Sequence, residues 1–321
     1  MKPRVRIGVV GVGHLGEYHV QKYSAMEDVE LVGVLDTNID RAGEIAQRYN
    51  TRAYGSLEEM LKQVDGVSIA VPTEHHFTVG SKILPQNVHV LIEKPITYDE
   101  DDANHLISMA RERNLVLQVG HVERFNPAVV KMESLLNRPL FIESHRMNLF
   151  TVRGTDVDVV LDLMIHDLDI ILHMAQSKVG EVHAVGMSVI TQKTDIANAR
   201  IIFQNGTVAN LTASRVSNQP LRKIRIFQPD AYISVNCYKK EVSVTRLDDS
   251  LNTEPFPHIV SNNMKYPDAD PLNDQLHAFV HAIQTGAEPV VTGEDGRTAL
   301  RVALAIIKQI AGGTKNFQGI D

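Results

Sequence analysis

Residues 4–16 read RVRIGVVGVGHLG, and residues 31–36 read LVGVLD. The first stretch opens with a short apolar run of the kind that is buried in a parallel sheet, and three glycines follow it. A helical pattern separates the two stretches, and the second apolar run ends at Asp36, 20 residues after Gly16. This order predicts a strand, a glycine-rich turn, a helix and a second strand parallel to the first.

The three glycines have the spacing G-x-G-x-x-G, and each meets a different steric need. Gly11 permits the tight turn, Gly13 lets the backbone approach a pyrophosphate, and Gly16 lets the helix pack close to the strand. The N-terminus of the helix adds N–H groups and the positive end of a dipole, which favour phosphate. Because the motif lies between a strand and a helix, we predict dinucleotide binding rather than a turn without phosphate.

Asp36 indicates which dinucleotide binds. A carboxylate at the end of the second strand is placed to accept a hydrogen bond from the ribose 2′-hydroxyl. Its charge would repel a 2′-phosphate, and the next residues are Thr37 and Asn38 rather than arginine. We therefore predict NAD as the cofactor in preference to NADP.

The composition is typical of a soluble globular protein with two domains. Of the 321 residues, 43% are apolar and 22% are charged, and the net charge of −7 gives no general attraction to nucleic acid or anionic membranes. The single cysteine, Cys237, excludes an intrachain disulfide and fits a reducing compartment. The N-terminal apolar run is too short for a signal peptide, and no stretch approaches the roughly 20 apolar residues of a membrane span. We expect a cytoplasmic protein with neither nucleic-acid nor membrane partners.

Strands and helices alternate as far as residue 120, which predicts a parallel, doubly wound sheet of the Rossmann type over residues 1–120. Its later strands are predicted at Gly66–Val71, Val88–Ile92 and Leu115–Val119. In such sheets ligands bind beyond the carboxyl ends of the strands. The glycine loop, Asp36, residues 72–76 and Lys94 should therefore lie along one rim.

Beyond residue 120 the pattern changes to alternating strands joined by turn signals, such as Asn205-Gly206. This predicts an α+β domain over residues 121–321 with a large, open, mainly antiparallel sheet. The predicted strands are Leu140–Leu149, Val182–Thr191, Ala197–Gln204, Thr207–Ser217, Arg222–Gln228, Ala231–Asn236 and Glu241–Arg246. The predicted helices are Asn126–Leu136, Val157–Ala175, Leu272–Thr285 and Gly296–Ala311. The polar, proline-containing segment Asp248–Asp270 predicts a surface loop.

The helix predicted at Val157–Ala175 is apolar nearly all round and should therefore be buried. Four polar residues nevertheless fall on one narrow stripe, at i, i+4, i+7 and i+11. They are Asp162, His166, Asp169 and His173. Buried polar groups need partners or a ligand, so the stripe is either a satisfied structural network or a functional site. We favour a functional site, because titratable groups in unusual environments gather there.

Lys94 ends a predicted strand next to Pro95, at the rim where the nicotinamide half of a dinucleotide would bind. A lysine in that position can hydrogen-bond a reacting carbonyl oxygen and stabilise its charge. Considered alone, such a residue is more often a solvated surface lysine.

Five motifs follow one another along nearly the whole chain. They are the glycine loop with Asp36, Pro72-Thr73-x-x-His76, Glu93-Lys94-Pro95, residues 120–127 (GHVERFNP) and Asp162-x-x-x-His166. In this order they resemble the Gfo/Idh/MocA family of oxidoreductases. The resemblance implies a nucleotide-binding domain, an open-faced α/β domain, and hydride transfer between NAD(P) and a sugar, a cyclitol or a derivative.

The resemblance also implies which residues act. Lys94, Asp162 and His166 match the catalytic positions of the family. The residues predicted to bind the cofactor are Gly11, Gly13, His14, Leu15, Gly16, Asp36, Pro72, Thr73, His76, Glu93 and Lys94.

Within the family, residues 120–127 and residues 210–217 (NLTASRVS) are similar to UDP-N-acetylglucosamine 3-dehydrogenases. This similarity implies a sugar or nucleotide-sugar substrate, specifically the 3-hydroxyl of UDP-N-acetylglucosamine. A dehydrogenase of free sugars or inositols is one alternative, and a non-catalytic NAD(H)-binding sensor or scaffold is another. A sensor would not need Lys94, Asp162 and His166 together, so we favour an enzyme.

Two groups of residues have competing explanations. The 14 histidines suggest a metal site, but those of the stripe are seven residues apart rather than four as in the zinc helix motif, so we expect no metal. A basic group either faces an anionic substrate or forms a solvated strand face. It comprises Arg215, Arg222, Lys223 and Arg225.

The second domain also suggests how copies of the chain assemble. An open sheet leaves one face that a monomer would expose, and alternating apolar residues predict a homodimer or a dimer of dimers that buries it. The residues assigned to this face are Val185, Met187, Val189, Ile201 and Phe203.

Overall fold

The computed structural model describes residues 3–151, 157–247 and 258–313. These residues form two compact units. The first comprises Met1–Val122 and Asp270–Leu300, and the second Glu123–Ala269 and Arg301–Asp321, in each case as far as the residues are described. Among the described residues, no helix is both long and apolar enough to cross a membrane.

Six parallel strands form the sheet of the first unit, in the spatial order 3-2-1-4-5-6. They are β1 (Val5–Val10), β2 (Val29–Leu35), β3 (Arg52–Ala53), β4 (Gly66–Ile69), β5 (His89–Glu93) and β6 (Leu117–Gly120). The helices between them are α1 (His14–Ala25), α2 (Ile39–Arg48), α3 (Leu57–Leu61), α4 (His76–Ile83) and α5 (Glu100–Glu112). The strand order reverses between β1 and β4, and ligands of such sheets bind at that point. The predicted doubly wound fold is confirmed.

Eight strands form the sheet of the second unit, in the order 14-13-12-11-7-10-9-8. They are β7 (Phe141–Met147), β8 (Val179–Met187), β9 (Ile196–Phe203), β10 (Val208–Ser214), β11 (Leu221–Gln228), β12 (Ala231–Asn236), β13 (Glu241–Leu247) and β14 (Ile259–Lys265). Only β7 and β10 pair in parallel among these strands, so the sheet is mainly antiparallel, as predicted. Helix α6 (Pro127–Glu133) and α7 (Ile165–Ala175) also belong to this unit.

Helix α8 (Pro271–Thr285) packs in the first unit although it lies late in the chain. Its buried Leu276, Phe279 and Val280 share a core with β1 and α1. Helix α9 (Gly293–Gly313) begins in the first unit and ends in the second. The second unit thus differs from the predicted domain of residues 121–321, because an amphipathic pattern shows that a helix face is buried but not which core buries it.

The prediction that Asp248–Asp270 is entirely a loop is wrong. Part of this segment is β14, which pairs antiparallel with β13 at the edge of the sheet. Only Val260 and Met264 of this strand are half-buried and the rest are exposed, so its sequence lacks the regular apolar alternation that marks a half-buried strand. Residues 248–257 lie outside the described part of the chain.

The placement of Ile201 and Phe203 on the open face is also wrong, because they are 0% and 2% exposed. Residues opposite each other in an antiparallel pair share a face, and Ile201 lies opposite Val182, whereas Val185 lies opposite Asn198. Val185 is therefore on the open face, where its side chain is 63% exposed. The alternation within each strand was visible in the sequence, but the register between the strands was not.

Candidate active site

The loop between β1 and α1 has a separate steric reason for each glycine. Gly11 has a φ of +85°, which favours glycine, and a Cβ there would lie 2.8 Å from the backbone of Ala70. A Cβ on Gly16 would lie 1.8 Å from the carbonyl oxygen of Gly11, so a larger residue would push α1 away. A Cβ on Gly13 would meet no described atom within 4 Å. The loop is therefore closed at two glycines and open at the third, where a phosphate can reach the backbone.

Helix α1 follows Gly13, and no side chain in the described part of the chain caps its N-terminus. Its first N–H groups can therefore bind an anion, which the helix dipole also favours. The carboxylate of Asp36 lies beside this loop, where it accepts hydrogen bonds from the N–H of Val12 at 2.7 Å and of Asn38 at 2.8 Å. These residues fit a dinucleotide, since they offer an open phosphate cradle and a carboxylate next to it.

Two arginines on α2, close to Asp36 in sequence, are paired with carboxylates. Arg41 pairs with Glu17 and, at 2.9 Å, with Glu44. Arg48 pairs with Glu17 and, at 2.6 Å, with Glu44. These two arginines and two glutamates together carry no net charge.

The loop after β4 carries three predicted residues, Pro72, Thr73 and His76. The ring of His76 is 1% exposed, with Nδ1 2.8 Å from the carbonyl oxygen of Pro95 and Nε2 3.0 Å from that of Val71. Burial lowers the pKa of His76, so the ring is neutral near pH 7 and donates to one of the two carbonyls. His76 thus ties this loop to the segment that carries Lys94.

Glu93 and Lys94 lie at the carboxyl end of β5. Glu93 Oε1 lies 3.2 Å from Nε2 of His19, whose Nδ1 is 2.8 Å from the hydroxyl of Ser68. A Cβ on Gly120 would lie 2.5 Å from Oε1, so this glycine leaves room for the carboxylate. Burial raises the pKa of Glu93, but His19 and Lys94 lower it by more, and the net pKa is below its usual range. An ionised carboxylate therefore stands next to Lys94, whose side chain is half-buried.

The helix that carries Asp162 and His166 contains a π turn at Val160–Met164, directly before α7. Such turns are rare and frequently occur at functional sites. Asp162 and His166 are both half-buried, whereas the apolar residues around them are buried. Asp162 lines a cavity of about 250 Å³, and its Oδ2 lies 3.9 Å from Nη2 of Arg215.

The predicted polar stripe is not one continuous surface. Asp169 is 2% exposed, and its Oδ1 lies 3.5 Å from Nη1 of Arg124. His173 lies nearer the surface, where its Nε2 is 2.7 Å from a carboxylate oxygen of Glu133. For Asp169 and His173 the structural explanation therefore applies, and the functional one remains for Asp162 and His166.

A buried ionic network that the sequence analysis missed connects α7 to β7. Arg146 donates to Asp167 through Nε at 2.9 Å and Nη2 at 2.6 Å, and to Glu123 through Nη1 at 2.9 Å. Burial lowers the pKa of Arg146, but the two carboxylates raise it by more. Burial raises the pKa of Glu123, but Arg146 lowers it by more, so the groups remain charged. The network therefore anchors α7 to β7 at Asp167, the residue that follows His166.

Of the residues that were missed, the sequence pattern could have indicated Arg146 but not His19. Arg146 lies on the same covered face of β7 as Ile142. A charged residue at such a position requires a buried partner. His19 gives no such signal, because its partner Ser68 lies 49 residues away. Among the described residues, no group of three histidine, cysteine or acidic side chains could hold a metal ion.

Known proteins resemble this chain along nearly its whole length. A sequence model of the oxidoreductase family with an NAD-binding Rossmann fold matches residues 5–121, and one of the GFO/IDH/MocA C-terminal domain matches residues 129–234. The UDP-N-acetylglucosamine 3-dehydrogenase of Acidithiobacillus ferrooxidans is 40% identical over 304 residues, which cover 94% of this chain and 96% of that protein. A solved structure of the enzyme from that organism has a TM-score of 0.91 at 38% identity, over 96% of this chain and 98% of the other.

A more distant structure shares the fold. The scyllo-inositol dehydrogenase of Lactobacillus casei, solved with NAD(H) and scyllo-inositol, has a TM-score of 0.80 at 19% identity, over 97% of this chain and 98% of the other. The two family models and the relative at 40% identity, which covers 94% of the chain, confirm the predicted family. The chain belongs to the Gfo/Idh/MocA family of oxidoreductases.

Proposed function

We propose that the chain is an NAD-dependent dehydrogenase that oxidises the 3-hydroxyl of UDP-N-acetylglucosamine. The observation that carries this proposal is the 40% identity, over 94% of the chain, to the UDP-N-acetylglucosamine 3-dehydrogenase of A. ferrooxidans. The likeness extends over 94% of the chain and therefore into both units. The fold alone would not support this step, because one fold hosts many functions.

The choice of NAD rests on charge near Asp36. Its carboxylate would accept a hydrogen bond from a ribose 2′-hydroxyl and repel a 2′-phosphate. Arg41 and Arg48, the cations that could attract that phosphate, are paired with Glu17 and Glu44. The L. casei inositol dehydrogenase of the same fold was solved with NAD(H), which also supports the proposal.

His166 is proposed as the general base. Oxidation of a secondary alcohol requires a proton to leave the oxygen as hydride leaves the carbon, and a bound nicotinamide supplies the hydride acceptor. An imidazole titrates near neutral pH and can therefore take that proton. The partial exposure of His166 and Asp162, on an otherwise buried helix, supports a role toward a ligand. Asp162 would orient the reacting groups.

Lys94 is proposed to hydrogen-bond the reacting oxygen and to stabilise its charge. The ionised Glu93 beside it attracts the positive charge of the lysine. His76 holds the following residue, Pro95, through the backbone carbonyl. Turnover should therefore require Lys94 as well as His166.

A substrate panel tests the function. NADH formation would be measured with UDP-N-acetylglucosamine, other UDP-sugars, free N-acetylglucosamine and inositols, each with and without an aminotransferase that consumes the ketone. We expect turnover with UDP-N-acetylglucosamine, increased by the aminotransferase because it removes product. Faster oxidation of a free sugar or an inositol would instead establish that alternative. NAD binding without turnover of any compound would establish a sensor.

The chain is also proposed to form a homodimer or a dimer of dimers through the open face of its second sheet. Phe141, Phe227 and Tyr232 form a row across three strands of that face, with ring centroids 5.5 and 5.0 Å apart. Phe227 is 40% exposed. Contiguous exposed apolar surface of this kind favours association.

Light scattering tests this assembly. Phe227→Glu should lower the molar mass to that of a monomer, because it would bury a charge in the interface. Val290→Glu is the matched control, since Val290 is 52% exposed but lies in the first unit. A monomeric wild-type protein at micromolar concentration would contradict the proposal.

A cytoplasmic location is proposed as well. The single cysteine permits no intrachain disulfide, which fits a reducing compartment. Cell fractionation against a cytoplasmic marker enzyme tests the location, and co-purification with membranes would contradict it.

A further inference from the structure

The cavity that Asp162 lines in the second unit also contains two arginines, Arg215 and Arg222. Its volume of about 250 Å³ is smaller than the roughly 300–1,000 Å³ of a pocket that encloses a whole ligand. It can therefore accommodate part of a large substrate. The remaining lining residues are Asn148, Leu149, Thr151, Leu163 and Pro220. We call this the arginine cavity.

Arg215 is held in place before any ligand arrives. It follows β10 and is 5% exposed, and its Nη2 donates to the carbonyl oxygen of Val157 at 2.6 Å. Its Nε lies 4.0 Å from Asp195, whose backbone carbonyl also accepts from the N–H of Arg215 at 3.0 Å. A guanidinium fixed in this way loses little conformational entropy when it binds an anion.

Arg222 retains bonding capacity. Its side chain is 36% exposed, and its Nη1 lies 3.8 Å from Oε1 of Glu123, which already accepts from Arg146 at 2.9 Å. The buried Nε of Arg222 donates to no acceptor in residues 3–151, 157–247 and 258–313. A guanidinium has five N–H donors in a planar fork, which match the oxygens of a phosphate group.

Strand β11 separates the basic residues that the sequence grouped together. Arg222 lies on the same face as the buried Ile224, whereas Lys223 and Arg225 point to the opposite, open face. Arg225 pairs there with Glu143 on β7. Only part of the basic group therefore belongs to the arginine cavity.

We propose that Arg215 and Arg222 bind the diphosphate of the nucleotide-sugar substrate, and this inference rests on the proposed function. Two guanidinium groups match the charge of a diphosphate. Because Asp162 lines the same cavity, a diphosphate bound there would lie beside the proposed catalytic helix. The site therefore selects sugars that carry a diphosphate over free sugars. Binding of the diphosphate also fixes the distance from the nucleotide to the reacting hydroxyl.

Calorimetric titration with UDP tests the site without requiring turnover. Wild-type protein saturated with NADH should bind UDP more tightly than uridine, and the preference should weaken as salt is added. Arg222→Met should lower the affinity for UDP by roughly 10- to 150-fold, the range for a lost hydrogen bond to a charged group. Affinity for uridine should stay unchanged in this variant.

Arg225→Met is the matched control, because it removes an arginine of the same strand on the opposite face, and its UDP affinity should equal that of the wild type. Arg222→Lys keeps the charge near Glu123 and supplies the same test if the methionine variant does not fold. Its UDP affinity should also fall, since lysine lacks the planar fork. Wild-type UDP affinity in a folded Arg222 variant would overturn the proposal, as would equal binding of UDP and uridine by the wild type.

The two proposals can fail separately. Arg222-dependent UDP binding without oxidation of any UDP-sugar would leave the arginine cavity assigned and contradict the proposed dehydrogenase. Oxidation of UDP-N-acetylglucosamine with an unchanged KM in Arg222→Met would leave the dehydrogenase assigned and contradict the diphosphate site.

Discussion

At the scale of single residues, His166 and Lys94 carry the proposed chemistry. His166→Asn should lower kcat by about 10²–10⁴-fold, the usual range for loss of a general base. Lys94→Ala should cause at least a comparable loss, because it removes both positioning and charge stabilisation. NAD should still bind to both variants, since neither changes the glycine loop or Asp36, but more weakly to Lys94→Ala, because Lys94 is itself among the residues predicted to bind the cofactor. Steady-state kinetics with a parallel NAD titration measures both effects.

His173→Asn is the control for the helix, because His173 pairs with Glu133 away from Asp162 and should be dispensable for turnover. Full turnover by either His166→Asn or Lys94→Ala would refute the assigned roles.

Asp36 should decide the cofactor. Asp36→Ala combined with Thr37→Arg replaces a repulsive carboxylate with a partner for phosphate, so affinity should shift from NAD toward NADP. Fluorescence titration with both reduced cofactors measures the ratio of their affinities. An unchanged ratio would mean that Asp36 does not contact the ribose.

At the scale of elements, the junction of β1 and α1 allows two glycine substitutions to be compared. Gly16→Ala places a Cβ 1.8 Å from a backbone oxygen and should destabilise the fold by roughly 1–3 kcal/mol. Gly13→Ala places its Cβ in open space and should change stability by less than about 0.5 kcal/mol. Its methyl group should nevertheless weaken NAD binding by about tenfold or more, because it obstructs the phosphate cradle. Equal NAD affinity in Gly13→Ala and wild type would contradict the cradle.

The turn between β8 and β9 should be sensitive to acid. Burial raises the pKa of Asp195, but hydrogen bonds from Thr191, Ile190 and Val189 outweigh it and lower the pKa to about 2. Because the folded pKa is depressed, the stabilisation is present above the usual pKa of 3.8 and is lost as the pH falls toward 2. Asp195→Asn should cost about 2 kcal/mol at pH 7, and its difference from wild type should shrink between pH 5 and pH 2. A pH-independent difference in urea unfolding would contradict this account.

The elements that were predictable have local causes. The glycine loop, the parallel strands and the Asn205-Gly206 hairpin follow from steric needs and periodicity that a short window of sequence contains. The π turn at Val160–Met164 was not predictable in this way. Its helix is apolar nearly all round, so the sequence has no amphipathic pattern that a wider turn would shift. The partners of Arg146 were likewise hidden, since they lie 21 and 23 residues away.

At the scale of the whole molecule, the candidate catalytic residues could be named from the sequence because their motifs resemble a family. Their surroundings could not, since the cavity of Arg215 and Arg222 depends on which face of β11 is covered. The membership of α8 in the first unit is a similar case. What remains to be tested is the position on the sugar from which hydride leaves.

Transfer of deuterium from C3 of the sugar to the cofactor tests this position. UDP-N-acetylglucosamine that carries deuterium at C3 of the sugar is incubated with the protein and NAD, and the reduced cofactor is analysed by mass spectrometry. We predict NADH that carries one deuterium at C4 of the nicotinamide, and a slower initial rate than with unlabelled substrate when hydride transfer limits turnover. Unlabelled NADH, or no NADH at all, would contradict it.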